Sequence, residues 1–301
     1  MDLCIGILVY ELDPSPLLKQ IIAQIERVSA KTYILIHDDG SAPSWQEKLK
    51  NEWSKDPRVE LSLSAVNQGR SKARNTLLKK ADAHYLLMID GDAQIEDPDF
   101  LEKYWASAQS KTVSVGGKKL ANTKATPNCE LRWLYAQQRE IRSVAKRKER
   151  GFLSFQSNCF LMDLGHLEGL YFDEKLLGYG HEDSLFGLRL KDLDWSINHI
   201  DLPTIYQADE ASPQFLAKTE QALSNLLYIK EHYPHYAQYF PLLIGLNKIK
   251  SWRLTTVALG LYHLGGKRFY SNLCSSKPSL KVFDLYRLLR LLELDRSNKG
   301  S

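Results

Sequence analysis

The chain has 301 residues, 44% hydrophobic and 25% charged, the balance of an ordinary globular protein with one large domain or a domain plus an appendage. Cys4, Cys129, Cys159 and Cys274 are scattered without the close pairs of a zinc site, and no run reaches the roughly 18 to 20 apolar residues of a membrane-spanning helix. The opening Met-Asp-Leu-Cys has no basic n-region or cleavage site, so the reading is a reduced, cytoplasmic protein.

Apolar runs bounded by turn residues alternate with helical periodicity. LCIGILVY (3–10) reads as a buried strand, followed by a helix over 14–30 with Leu17, Leu18, Ile21, Ile22 and Ile25 on one face. TYILIHDDGS (32–41) is a second strand ending in polar turn residues, 45–53 a helix, VELSLSA (59–65) a third strand, 71–81 a helix and 84–89 a fourth strand. Strands spaced by helices predict a mainly parallel sheet covered on both faces, with ligands bound beyond the carboxyl ends of its strands. Further on, the pattern predicts a capped helix over 97–108, a short strand over 113–120, one long basic helix over 129–150, an apolar stretch at 154–164 and a strand near 195–200. From Pro213 helical periodicity dominates, which predicts an appended helical subdomain over 213–301.

The net charge of +4 is unevenly distributed. Residues 248–301 hold eleven Lys or Arg against three acids, a surplus of eight that leaves the rest of the chain at −4. Interleaved with Trp252, Tyr262, Phe269, Tyr270 and Tyr286, this tail suits peripheral contact with an anionic membrane surface; the plainer reading is a solvated helical face.

Four stretches carry chemistry. LLMIDGD runs an apolar strand into Asp90-Gly91-Asp92, two carboxylates able to share a hard cation, with Gly91 expected to let a phosphate ligand approach the backbone. Asp38-Asp39-Gly40-Ser41 ends the second strand in a turn whose carboxylates can accept from a base or from ribose, although an Asx-turn explains it equally well. Asn67 to Asn75, NQGRSKARN, is a basic turn entering a helix and suits an anion or the edge of a base. In Gly178-Tyr179-Gly180-His181-Glu182-Asp183, the glycines permit a tight loop holding an aromatic platform beside two acids, as a sugar acceptor requires.

Together these stretches resemble the GT-A fold glycosyltransferases of family 2. The segment 154–190, with SNCFLM and LYFDEKLLGYGHED, is similar to the galactosyltransferase-like and chondroitin-polymerase-like branch. The resemblance covers about residues 1–210 and implies a GT-A domain over 1–212, with a nucleotide-binding half at 1–95 and an acceptor half at 96–212. It implies that Tyr10 and Asp39 flank a uracil with Arg70 nearby, and that Asp90 and Asp92 hold ribose and a divalent metal, Mn or Mg, with Asp92 the direct ligand. Tyr179 and Glu182 would receive and orient the acceptor, and Asp183 would be the catalytic base. Back-face attack on the donor sugar makes the reaction inverting.

One departure is visible. Where the family usually supplies a late histidine as a metal ligand, Tyr206 is followed by Gln207, whose amide oxygen suits a hard cation better than a transition metal; Asp209 and His199 are the other candidates. The expected activity is transfer of a hexose or N-acetylhexosamine from a UDP-sugar to a glycan or lipid-linked oligosaccharide in surface polysaccharide synthesis. The alternative is a weakly active or inactive nucleotide-sugar-binding scaffold. YELDPSP after the first strand lacks the glycine-rich phosphate loop of a nucleotidyltransferase, and no nucleic-acid partner is expected.

Overall fold

The structure, a computed structural model, describes residues 1–298; Lys299 of the basic tail lies outside the described residues. Strands and helices alternate as β1 (Leu3–Val9), α1 (Ser15–Ile25), β2 (Thr32–Asp38), α2 (Pro43–Trp53), β3 (Val59–Leu63), α3 (Arg70–Lys80), β4 (Tyr85–Asp90) and α4 (Phe100–Ala106). There follow β5 (Thr112–Val115), β6 (Lys118–Leu120), α5 (Glu130–Tyr135), α6 (Val144–Arg150), β7 (Cys159–Asp163), α7 (Glu182–Asp192), β8 (Ser196–His199) and β9 (Thr204–Tyr206). The chain ends in α8 (Ser212–His232), α9 (Pro241–Ser251), α10 (Thr255–Leu273) and α11 (Leu280–Ser297). Among the described residues no helix is long and apolar enough to cross a membrane.

Seven strands form one mixed sheet in the order β3-β2-β1-β4-β7-β5-β8, and β6 pairs with β9 separately. The first four strands are parallel, as the alternation predicts, and β7 runs antiparallel to both of its neighbours, β4 and β5. Because successive side chains leave a strand on opposite faces, each strand feeds two cores. Leu3, Ile5, Ile7, Ile34, Ile36, Leu87 and Ile89 pack with α1 and α4 on one face. Cys4, Leu35, Leu86, Met88 and Phe160 pack with Leu77, Phe172 and Phe186 on the other.

Two expected elements divide. The strand predicted over 113–120 breaks at Gly116-Gly117, where the buried Arg147 donates to the carbonyls of Val115 (2.8 Å), Gly116 (2.9 Å) and Ile200 (2.8 Å). Those bonds replace ladder partners at the strand ends and account for one charge of the basic stretch. The helix predicted over 129–150 is interrupted by a π-helical turn at Ala136–Glu140, and α6 restarts behind Ser143, whose hydroxyl accepts from the Lys146 N–H.

The chain forms two compact units. Met1–Lys119, Ile141–Lys175 and Glu182–Tyr206 make the first; Leu120–Glu140, Leu176–His181 and the chain from Gln207 make the second. A single cut at residue 212 therefore does not describe the division, since two earlier segments join the C-terminal helices. The second unit has its own core, in which Leu131, Phe215, Leu216, Leu273, Leu280, Phe283 and Tyr286 interdigitate. Tyr135 meets Phe215 and Phe283 there at ring-centroid distances of 5.4 and 5.5 Å.

Candidate functional site

Strand register brings the expected donor residues to one edge of the first unit. Leu8 of β1 lies opposite Asp90 of β4, and Val9 lies opposite Asp38 of β2, so Tyr10, Asp39 and Asp90 leave three adjacent strands at the same carboxyl end. Tyr10 is half exposed. The two neighbouring aspartates divide their work. Asp38 accepts from the Ser41 N–H (2.9 Å) and Gln46 Nε2 (2.7 Å) and makes the local turn. Asp39, also buried, accepts from the N–H groups of Gln68 and Gly69 at 3.0 Å each, and so fixes the loop that enters α3. Burial pushes the Asp39 carboxyl above its ordinary value while those two amides pull it back.

Asp90 is held by Arg74, a residue of the basic turn that was expected to meet an anion or the edge of a base. Arg74 is four positions after Arg70, hence on the same side of α3, and its side chain is only 3% exposed. It donates from Nη2 to Asp90 Oδ1 at 3.0 Å and lies over the Phe172 ring at 5.7 Å. Burial opposes the Arg74 charge, and Asp90, Asp183 and Glu182, in decreasing order, restore it, so that the guanidinium remains protonated. Arg74 therefore pairs directly with Asp90 and lies in the field of Asp183 and Glu182.

Gly91 serves a different end from the one expected. A Cβ there would lie 2.7 Å from Val9 Cγ1 and 2.8 Å from the Leu8 carbonyl oxygen, and the Gly91 N–H donates to that same oxygen at 2.9 Å. The glycine lets the turn close onto β1; its missing side chain does not open a path to the backbone for a phosphate. Asp92 keeps contact with solvent yet is walled by protein, and this crowding, then Asp90, raises its carboxyl against the pull of Lys118 and Arg70. Lys118 of β6, stacked over the Tyr206 ring at 5.2 Å, is a second cation absent from the expected set.

The reversed direction of β7 brings in the residues expected on the acceptor side. Running antiparallel to β4, it begins where β4 ends, with Cys159 opposite Ile89 and the Asn158 carbonyl accepting from the Asp90 N–H at 2.9 Å. One residue earlier, the Ser157 N–H donates to Asp183 Oδ2 at 3.2 Å, while Asp183 Oδ1 is buried with no hydrogen-bond partner. Glu182, buried at the start of α7, faces Arg70 Nη1 at 3.9 Å; burial raises its carboxyl, Asp183 adds to this, and Arg74 and Arg70 oppose it. Asn75, next to Arg74, clasps the Leu-Tyr-Phe-Asp-Glu segment: its amide donates to the Phe172 carbonyl (2.9 Å) and to Glu174 (2.9 Å), and its oxygen accepts from the Phe172 N–H (2.8 Å). The only hint of these roles in the sequence is the helical spacing of Arg70 and Arg74.

Tyr179 and Gln207 belong to the second unit. The loop carrying Tyr179 is pinned to α8: Gln221 Oε1 accepts from the Tyr179 N–H at 3.1 Å, and Asn225 Nδ2 donates to the Leu177 and Gly180 carbonyls at 3.0 Å each. Gly178 and Gly180 have φ of +70° and +105°, which the close approach of Gln221 and Ala222 reserves for glycine. One face of the Tyr179 ring carries the Lys218 ammonium at 5.6 Å. Gln207 is exposed and follows β9 directly.

Among the described residues no group of three or more His, Cys, Asp or Glu forms a cation cage. His199, one candidate ligand, has Arg147 at 3.4 Å from Nδ1 and the Gly151 carbonyl at 3.0 Å from Nε2, which makes it part of the scaffold. Asp90 and Asp92 remain two mutually repelling carboxylates on one turn, a donor set that fits a hard cation completing its shell with phosphate and water oxygens.

The family model for "Glycosyl transferase family 2" matches residues 7–164, slightly more than half of the chain. An "Uncharacterized glycosyltransferase" of Haemophilus influenzae is 40% identical over 70 residues, covering 23% of this chain and 28% of that one, so the match spans little more than a quarter of the relative. Among solved structures, S. aureus TarS aligns with a TM-score of 0.50 at 19% identity, over 81% of this chain and 43% of that chain. TarS 1-349 in complex with UDP-GlcNAc gives a TM-score of 0.52 at 14% identity over 99% of this chain and 92% of that chain. The chain shares their fold, and its own architecture is an α/β GT-A domain with a helical C-terminal region. With the family model covering 7–164, more than half of the chain, the chain belongs to glycosyl transferase family 2.

Proposed function

We propose that the protein is an inverting glycosyltransferase that moves a hexose or N-acetylhexosamine from a UDP-sugar to a glycan or lipid-linked oligosaccharide, in surface polysaccharide synthesis. The observation that carries this reading is that consecutive residues just before β7 hold both aspartates, the Asn158 carbonyl accepting from the Asp90 N–H and the Ser157 N–H donating to Asp183 Oδ2, with Asp183 Oδ1 left unpartnered. In this reading Tyr10 stacks on the uracil, Asp39 and Arg70 border it, and Asp183 Oδ1 takes the proton of the acceptor hydroxyl as that oxygen attacks the anomeric carbon. Attack from the side opposite the diphosphate inverts the configuration. Glu182 orients the acceptor, and Arg74 holds its carboxylate neighbours without touching substrate. A divalent cation, Mg or Mn, held through Asp92 and Asp90, would neutralise charge on the leaving diphosphate. A UDP-linked donor also accords with TarS, which shares the fold and was solved with UDP-GlcNAc; galactose, N-acetylgalactosamine or a related hexose is the sugar that the Gly-Tyr-Gly-His-Glu-Asp resemblance favours.

The test is a calorimetric titration of UDP, with GDP as control, with and without Mn, on the wild type and on Asp92→Ala. UDP binding that needs Mn and is lost in Asp92→Ala is the expected result. If neither nucleotide binds, the donor assignment fails, and the chain is a fold relative without the chemistry.

A further inference from the structure

The second unit presents a surface that glycosyl transfer does not require. On α10, Leu259 and Leu273 are buried, and Tyr262 and Phe269 pack on the helical core. At 3.6 residues per turn the opposite face carries Val257, Leu261 and Leu264, and then Arg268. Those three apolar side chains are 71%, 48% and 90% exposed, and Trp252, just before the helix, is 67% exposed. An outward helix stripe is ordinarily polar. One exposed leucine needs no explanation, whereas a stripe of three large aliphatics beside an exposed tryptophan marks an interaction surface.

Along the sequence the charges flanking the stripe are of one sign, and Glu293 of α11, which reaches His263, is already paired with Arg290. From His232 to Phe283 the chain has seven Lys or Arg and no Asp or Glu. The basic residues of the tail are not equivalent, however. Lys250 is paired with Asp295, Arg287 with Asp284, and Arg290 with Glu220 and Glu293, so much of the α11 charge is neutralised inside the unit. Lys248, Arg253, Lys267 and Arg268 are exposed and make no ion pair among the described residues. They flank the apolar stripe at both ends.

We propose that α10, with Trp252 before it, is an interfacial anchor that lies in the surface of an anionic phospholipid bilayer. Val257, Leu261 and Leu264 enter the acyl boundary, Trp252 sits at headgroup level, and Lys248, Arg253, Lys267 and Arg268 meet the phosphates. Charge selects this occupant over a second copy of the chain, because pairing two such faces would set unpaired cations against unpaired cations. It selects it over nucleic acid because the aliphatic stripe has nothing to match in a polyanion. The narrowing from the whole basic tail to α10 follows from the internal ion pairs of α11. The proposal stands independently of the donor-site reading.

The experiment is co-sedimentation of the full chain with vesicles of phosphatidylcholine alone and of phosphatidylcholine with phosphatidylglycerol, at low and physiological salt. Retention on the anionic vesicles only is expected, weakening as salt rises. In Val257→Glu/Leu264→Glu it should fall by at least about tenfold, since two inserting side chains are lost. Lys267→Glu/Arg268→Glu should likewise lose the preference for phosphatidylglycerol. Both variants change exposed side chains, and their urea unfolding midpoints, measured in parallel, should match the wild type and show that they are folded. Equal retention on both vesicle types, no retention by the wild type, or a wild-type dimer that the glutamates convert to monomer would each overturn the proposal. Stronger retention on DNA than on anionic vesicles would overturn it as well.

Discussion

Replacing Arg74 by methionine removes the buried cation beside Asp90, Glu182 and Asp183 while keeping most of the stem volume against Phe172. Removing one member of a fully buried ion pair costs about 3 to 5 kcal/mol, because the remaining charge is left uncompensated. Asp90 retains water contact, its side chain being 28% exposed against 3% for Arg74, so the lower end of that range applies. Acting in the other direction, Arg74 Nε and Nη1 are buried without partners, and methionine relieves a desolvation penalty of about 1 kcal/mol or more. The expected net loss is about 1 to 2 kcal/mol at neutral pH. The pH dependence separates charge from packing. Arg74 holds the already raised Glu182 carboxyl down, so without it that carboxyl rises further in the folded state. An acid raised in the folded state contributes stability that is present at low pH and lost as pH rises through its folded value. The deficit of Arg74→Met should therefore be largest near pH 7.5 and shrink toward pH about 4, where carboxyls of the unfolded chain become protonated. Urea unfolding of both proteins across that range measures it. A deficit that does not change with pH would refute the counter-ion reasoning and leave Arg74 as packing alone.

Asp183→Asn should lower kcat by about 10²- to 10⁴-fold with UDP affinity unchanged, since it removes the proposed general base and leaves the proposed donor residues in place; a loss smaller than about tenfold would count against Asp183 as the base. Gly91→Ala should cost about 1 to 3 kcal/mol in thermal unfolding, because its Cβ would meet Val9 and the Leu8 carbonyl. Unchanged stability with weakened UDP binding would instead restore the phosphate-access role. His181, with φ +70° and packed edge-on against Phe240 at 5.4 Å, is pushed down to about 4, first by burial and then by Arg287. An unfolded histidine takes its proton near pH 6.5, so this contribution is present above that pH and is lost as pH falls toward 4. In His181→Asn, which tolerates the left-handed backbone, the fall in urea midpoint between pH 7 and pH 5 should be smaller than in the wild type. An identical fall would show that His181 does not drive it.

Local pattern was sufficient to place Tyr10, Asp39 and Asp90 on one sheet edge. The apolar runs of β1, β2 and β4 declare strands by composition and length, and an acidic turn that ends such a run in a parallel sheet must lie at its carboxyl edge, so Tyr10, Asp39 and Asp90 were legible together. The helices of the C-terminal region were legible from their period alone. Periodicity reports geometry within one element, and it is silent on partners supplied from elsewhere. The insertion of β7 between β4 and β5 depends on a strand that begins 69 residues after Asp90, and only that insertion puts the Ser157 N–H against Asp183. Whether Arg74 is a solvated cation or a buried counter-ion was decided by Asp90, Glu182 and Asp183, which arrive on other elements. The single basic helix over 129–150 broke where the chain leaves one compact unit for the other at Glu140 and Ile141. The tail's eleven cations read as one charged surface until tertiary pairing neutralised several on α11 and left those of α10 beside an outward aliphatic stripe. Side-chain identity sets what a residue can do; burial and neighbours, which the fold alone assigns, decide which of those things it does.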